Sequence, residues 1–306
     1  MYTGRIIIMK IVNFGSLNLD YVYRVPYAVA TGETIAASSF QILLGGKGLN
    51  QSVAIARAGA GVLHGGFVGD DPKARELLEC LHDSGVDVSR IRTTSVPQGH
   101  AMIQVNDEGN NCIVIYGGSN QCVSRDYIDE ILSDFTVGDY VVLQNETSNV
   151  EYAIAQAHAK GCIVVLNASP IDERMLALDY SQIDWLVINE IEGAAIAGVK
   201  QIDEILPVLT KRYSALNIIL TLGTGGSRCY TEGKIYEQSA FKANAVDTTA
   251  AGDTFLGYVV AGLIAGTPIQ EILRTASAAS AIAVSIMGAA GSIPRYEEVQ
   301  RYLENA

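Results

Sequence analysis

Short apolar runs recur along the chain: IVNFG at 11–15, YVVLQ at 140–144, CIVVLN at 162–167, DWLVIN at 184–189 and NIILTLG at 217–223. Amphipathic, helix-period stretches separate them. That alternation predicts an α/β fold, a three-layer sandwich in which helices cover both faces of a central, mostly parallel sheet. One intervening helix is fully punctuated. In DPKARELLECLHDSG, Asp71 stands as N-cap, Pro72 takes the first helical position, Leu77, Leu78 and Leu81 share a face, and Gly85 falls just past the end.

Two segments break the rhythm, TGETIAASSFQILLGG (31–46) and GHAMIQVNDEGNNCIVIYGG (99–118). The second reads as a hairpin, with alternating AMIQV and CIVIY about a polar NDEGNN turn. Extended segments inserted at two places in an α/β chain are expected to meet as a small extra sheet, a β lid. The expected division is an α/β domain of residues 1–20, 44–96 and 119–306, with a lid of 21–43 and 97–118.

Composition narrows the class. The 306 residues are 49% hydrophobic and 18% charged, enough for one large core, and this argues against disorder. No run approaches the roughly 20 apolar residues that cross a bilayer, and the opening MYTGRIIIMKIVNFG has no cleavage-site pattern, so a cytoplasmic protein with no membrane partner is expected. MKIVNFG reads as a possible start in its own right, which leaves open whether the residues before Met9 are native. A net charge of −12 argues against a nucleic-acid partner, whose phosphates need a basic stripe. The five cysteines, Cys80, Cys112, Cys122, Cys162 and Cys229, contain no C-x-x-C pair and are expected as buried thiols rather than disulfides or zinc ligands. His64, His82, His100 and His158 have no spacing that suggests a metal or a triad.

Two stretches carry candidate chemistry. In LLGGKGLNQSVAIARAGA (43–60), Gly45, Gly46 and Gly48 permit close backbone approach and deliver Asn50 to the start of a helix that Gly59 ends. This is no P-loop, because Gln41 and Gly48 stand where that motif needs Gly and Ser or Thr. In DTTAAGDTFLGYVVAGLIAG (247–266), a helix beginning near Ala251 gathers the N–H groups of Ala250, Ala251, Gly252 and Asp253 at its positive end, an anion hole made of backbone. Asp253 is then a carboxylate beside a bound anion, costly unless it accepts a proton from an attacking hydroxyl. Anion hole plus base is the minimum for moving a phosphoryl group to an alcohol. The plain alternative is that Asp253 is a favourable acid in a first turn.

GGKGLNQSVAIARAGA resembles the first signature of the ribokinase-like (PfkB-type) carbohydrate kinases, and DTTAAGDTFLG resembles the second. Between and around them, GSLNLD (15–20), GET (32–34), VGDD (68–71), GGSN (117–120), LQNE (143–146), NEIE (189–192), TLGTGG (221–226) and GAAGSIP (288–294) follow the order seen in the ribokinase members of that family. The resemblance implies a ribokinase-like fold and transfer of the γ-phosphate of ATP to a primary hydroxyl of a free sugar. It implies Asp253 as base and Ala250, Ala251 and Gly252 as the anion hole, with Ala250 where the family often has Gly. Asn18, Asp20, Gly46, Lys47, Asn50 and Glu146 match sugar contacts. Asn189 and Glu192 match the N-x-x-E that organises magnesium and phosphates, and Thr221, Gly223 and Gly226, with Gly252, match nucleotide contacts. Asp247, Thr249, Ala283, Ile286, Gly288 and Ser292 match a monovalent-cation site, for potassium. SAIAVSIMG, inside that last region, reads from composition as the last core helix. The family likeness and an apolar, β-rich lid also suggest a homodimer paired through the lids. Ribose is the acceptor these residues favour; fructose, a nucleoside, or a sugar-binding regulatory protein without turnover are the other readings.

Overall fold

The computed structural model describes residues 9–108 and 110–306; what precedes Met9 lies outside the described residues. The strands are β1 (Ile11–Phe14), β2 (Asn18–Arg24), β3 (Ser39–Gly45), β4 (Leu63–Gly65), β5 (Phe67–Gly69), β6 (Arg92–Thr94), β7 (His100–Val105), β8 (Asn111–Tyr116), β9 (Tyr140–Gln144), β10 (Ile163–Asn167), β11 (Trp185–Asn189), β12 (Asn217–Thr221), β13 (Ser227–Thr231) and β14 (Lys234–Gln238). The α-helices are α1 (Lys47–Arg57), α2 (Pro72–Asp83), α3 (Arg125–Leu132), α4 (Val150–Ala159), α5 (Glu173–Ala177), α6 (Glu190–Ala197), α7 (Ile202–Arg212), α8 (Ala251–Ile264), α9 (Ile269–Ala283) and α10 (Tyr296–Glu304).

All five apolar runs became strands of one sheet, ordered β14-β13-β12-β11-β10-β9-β1-β4. It is parallel apart from the antiparallel β13–β14 hairpin at one edge. Alternate residues of each strand feed different cores, because side chains change face at every step. Val142, Val165, Val187 and Ile219 pack with α1, α2, α8 and α9 on one side. Val141, Leu143, Val164, Leu186 and Ile218 pack with α3, α4, α6 and α7 on the other. Both faces are therefore dry, which is why these strands read as continuous apolar runs. In α2, Asp71 caps by accepting the Ala74 N–H at 3.0 Å, as its position predicted.

A separate four-stranded sheet has the order β3-β2-β7-β8. The two inserted segments do meet, with β2 between them: β3 pairs with it antiparallel, β7 parallel, and β8 folds back on β7. Cross-strand register lines up Leu43, Asp20, Ala101 and Ile115 on one face, and Ile42, Tyr21, Met102 and Val114 on the other. Asn18 and Asp20 thus lie within a strand of the small sheet.

Two expectations need correction. SAIAVSIMG is not a last core helix: α9 ends at Ala283, Ile286 and Met287 are exposed, and α10 follows. The cause is local. The Val284 carbonyl accepts the N–H groups of Val246 (2.8 Å) and Asp247 (3.2 Å), so it is taken by another segment and the helix does not continue. Nor are the cysteines uniformly buried. Cys162 and Cys229 are, Cys80 and Cys122 are half-buried, and Cys112 is exposed on the lid hairpin. Among the described residues no helix is long and apolar enough to cross a membrane.

Candidate active site

The site begins where β1 turns into β2 against the start of α1. Gly46 holds the turn at φ 94°, a conformation that suits glycine. Gly48 sits so close to Gly15 and Ser16 that any side chain on it would land on their backbone. This lets the Leu49 N–H reach the Ser16 carbonyl at 2.9 Å and the Gly48 N–H reach the Ser16 hydroxyl at 3.2 Å. The Lys47 N–H donates to Glu146 Oε2 at 3.1 Å, and the Ser16 hydroxyl donates to the same oxygen. Helix-start donors that lack an intrahelical partner are in this way spent on fixing Glu146, just beyond β9.

The second wall is the start of α8. Ala250 stands in the left-handed region, φ 62° and ψ 4°, and turns the chain into the helix. Its carbonyl accepts the Thr254 N–H at 2.8 Å, while the Ala251 N–H leans on the Thr248 carbonyl at 3.3 Å. A side chain added to Gly252 would meet nothing within 4 Å, so this backbone faces open space. Asp253, one residue further, is buried, and its carboxylate is held from both sides. Asn50 Nδ2 donates to Oδ2 at 3.0 Å and Gln51 Nε2 donates to Oδ1 at 2.9 Å.

Three carboxylates converge here. Burial first, then Glu146 and Asp253, push the Asp20 carboxyl up to about 7. Burial also raises Glu146, against the pull of Lys47 and of its hydrogen bonds from Ser16 and the Lys47 N–H. Burial disfavours the charge on Lys47, yet Asp253, Glu146 and Glu192 outweigh it and hold the ammonium above its ordinary range. Lys47 is the local cation among these acids. Asn18 is fixed too: its Oδ1 accepts from Asn120 Nδ2 at 2.7 Å, leaving its own amide hydrogens for a ligand.

Two further candidates share one edge of the sheet. Asn189 and Thr221 are register partners at the C-terminal ends of β11 and β12, where open α/β sheets bind ligands. Asn189 and Glu192 form a reciprocal cap on α6, Asn189 Oδ1 accepting the Glu192 N–H at 2.9 Å and Glu192 Oε2 accepting the Asn189 N–H at 3.0 Å. Gly223 and Gly226 lie in the turn after β12, both at positive φ. Asp247 ties its own turn to the one after α9, accepting from the Thr249 N–H at 2.9 Å and the Gly288 N–H at 3.0 Å. The Ala283 carbonyl accepts the Ile286 N–H at 3.2 Å, and the Ser292 hydroxyl is turned onto the Ala289 carbonyl at 2.8 Å.

Residues 9–295 match the pfkB family of carbohydrate kinases. The chain belongs to that family. A ribokinase of Haemophilus influenzae is 36% identical over 95% of this chain and 97% of its own. The structure of Arabidopsis thaliana ribokinase complexed with ribose and ATP aligns with TM-score 0.84 and 30% identity, covering 97% of this chain and 99% of that one. Ribokinase from Thermotoga maritima aligns with TM-score 0.85 and 30% identity over 97% of this chain and 100% of its own.

The site also holds residues that sequence reasoning passed over. Ser16 and Asn120 sit inside the quoted GSLNLD and GGSN segments, and Gln51 follows Asn50 directly, yet none drew a role. Their partners lie 130, 103 and 202 residues away, and local spacing carries no trace of such contacts.

Proposed function

We propose that this chain transfers the γ-phosphate of ATP to a primary hydroxyl of a free sugar, with D-ribose as acceptor and ribose 5-phosphate as product. The observation that carries the reading is the Asp253 carboxylate, clamped by two amides at the positive end of α8 beside Asp20, Glu146 and Lys47. Asp253 accepts the proton of the attacking hydroxyl as the new O–P bond forms and the bridging bond to ADP breaks. The N–H groups of Ala250, Ala251 and Gly252 stabilise the charge that builds on the transferring phosphoryl. Asn18, Asp20, Gly46, Lys47, Asn50 and Glu146 hold the sugar hydroxyls. Asn50 Oδ1, buried and without a partner among the described residues, supports this, since a hydroxyl hydrogen would satisfy it. That relatives above 30% identity carry the ribokinase name supports ribose.

Thr221, Gly223 and Gly226, with Gly252, contact the nucleotide. Asn189 and Glu192 suit magnesium held through its waters, because their cap already occupies Asn189 Oδ1 and Glu192 Oε2, and this ion keeps several waters. When bound it would neutralise phosphate charge. For potassium, the Asp247 carboxylate and the carbonyl-rich turn after α9 offer the oxygen donors such an ion takes, and would hold it near the anion hole. Residues 21–43 and 97–118 act as a lid on the α/β domain of 1–20, 44–96 and 119–306, excluding water during transfer. The enzyme works in the cytoplasm as a lid-paired homodimer.

The test is an ADP-release assay over pentoses, hexoses and nucleosides, with and without potassium, expected to give highest kcat/KM for ribose. Asp253→Asn is expected to lower kcat about a thousandfold while sugar and ATP still bind. Near-normal turnover in that variant would sink the assignment of the base.

A further inference from the structure

We propose that Gln51 is a positioning residue for Asp253, and that a buried chain of amides through Gln144, Asn13 and Ser52 to His64 fixes which end of Gln51 faces the carboxylate. The first clause rests on the kinase reading; the chain itself does not.

Gln51 is fully buried, and Nε2 spends both hydrogens: one on Asp253 Oδ1 at 2.9 Å, one on Asn167 Oδ1 at 3.3 Å. Its oxygen accepts from Gln144 Nε2 at 2.7 Å, and the other hydrogen of that amide goes to Asn13 Oδ1 at 2.8 Å. Asn13 Nδ2 then donates to the Gly48 carbonyl and the Ser52 hydroxyl, each at 2.9 Å. Ser52 Oγ lies 2.8 Å from His64 Nδ1, and His64 Nε2 lies 3.2 Å from the Gly15 carbonyl.

The sense of this chain is set at its ends. A carboxylate and a backbone carbonyl accept only, so Asn13 must turn its nitrogen to Gly48, and Gln51 its nitrogen to Asp253. Asn13 then shows its oxygen to Gln144, which must answer with nitrogen, and Gln144 Nε2 requires the oxygen of Gln51. At the far end the Gly15 carbonyl calls for a hydrogen on His64 Nε2, leaving Nδ1 to accept from Ser52. Burial pushes His64 down to about 4, so the ring is neutral and can do so. Flipping any one amide sets donor against donor or acceptor against acceptor in a dry interior. The result is a carboxylate whose Oδ1 is always met by an N–H, with its remaining lone pairs turned to the ligand.

Gln51→Met keeps the volume and removes the donor. Its kcat is expected to fall about tenfold to a hundredfold, the size of one hydrogen bond to a charged group, with the KM for sugar and ATP held within about threefold. Gln144→Met, one amide removed from Asp253, is expected to act in the same sense but more weakly. If folded Gln51→Met and Gln144→Met keep kcat unchanged, or KM alone changes, the proposal fails. Should Gln51→Met not fold, Gln51→Leu stands in with the same expectations, since it also removes the donor. A readout without turnover separates the two ideas. In 15N–1H spectra the side-chain amide hydrogens of Asn13, Gln51 and Gln144 are expected to exchange slowly, and Asp253→Asn to move the signals of Gln51 and Gln144. Fast exchange overturns the chain whatever the activity. Slow exchange in a protein that phosphorylates no sugar leaves the clamp standing and removes the kinase reading.

Discussion

Asp20 illustrates how a buried carboxyl proposed to bind the sugar weighs on its own fold. Its carboxyl is raised from an ordinary 3.8 to about 7, so the folded protein holds this proton more tightly than the unfolded chain does. Stability from that proton is complete below about pH 4 and lost as pH rises through 7. Asp20→Asn, which cannot ionise, is therefore expected to melt progressively higher than the parent between pH 4 and 7, with a plateau above, on the order of 1–3 kcal/mol in the ligand-free protein. Equal melting differences at pH 4 and pH 8 would contradict the shift. Sugar affinity is expected to fall about a hundredfold in the same variant, the usual exchange of stability for function. Asp253 could be singled out because it sits in a long signature, and Asp20 because it sits in one of the shorter matches around it. Gln51, Gln144 and His64 could not be, because a buried amide has no periodicity and its partner lies far away in sequence.

At the scale of elements, the five central strands could be read from short apolar runs set between helix-period stretches, since a strand dry on both faces is apolar at successive positions and too short for a buried helix. β2 was harder: NLDYVYR mixes a buried base with half-exposed residues further along, and its pairing depends on segments that follow it. The end of α9 was invisible for a similar reason, being set by Val246 and Asp247 from another segment. The start of α8 makes a prediction of its own. Ala250 at φ 62° carries a cost of about 1 kcal/mol that glycine avoids. Ala250→Gly is expected to stabilise the protein by up to about 1 kcal/mol with turnover intact, and Ala250→Val to destabilise it by about 2 kcal/mol or more and slow turnover. Chemical denaturation of both variants checks the order.

For the whole molecule, the lid leaves Phe40, Met102, Val114 and Tyr116 exposed on one face of the small sheet and Ile113 and Ile115 on the other. The proposed pairing of two lids would cover apolar residues of this sheet. Light scattering is expected to give twice the chain mass of 32.6 kDa, and Val114→Glu to return it to a single chain. A wild-type protein that stays monomeric at all concentrations would rule out the lid pairing.

One contact reaches beyond structure into synthesis. Asn50 and Asp253 meet across 203 positions of sequence, and the clamp they form needs the first turn of α8. A ribosome delivers those two residues many seconds apart. Until the later one emerges, every earlier loop and strand waits around an incomplete pocket, so ligand binding by a nascent chain would act as a timestamp for the end of its translation.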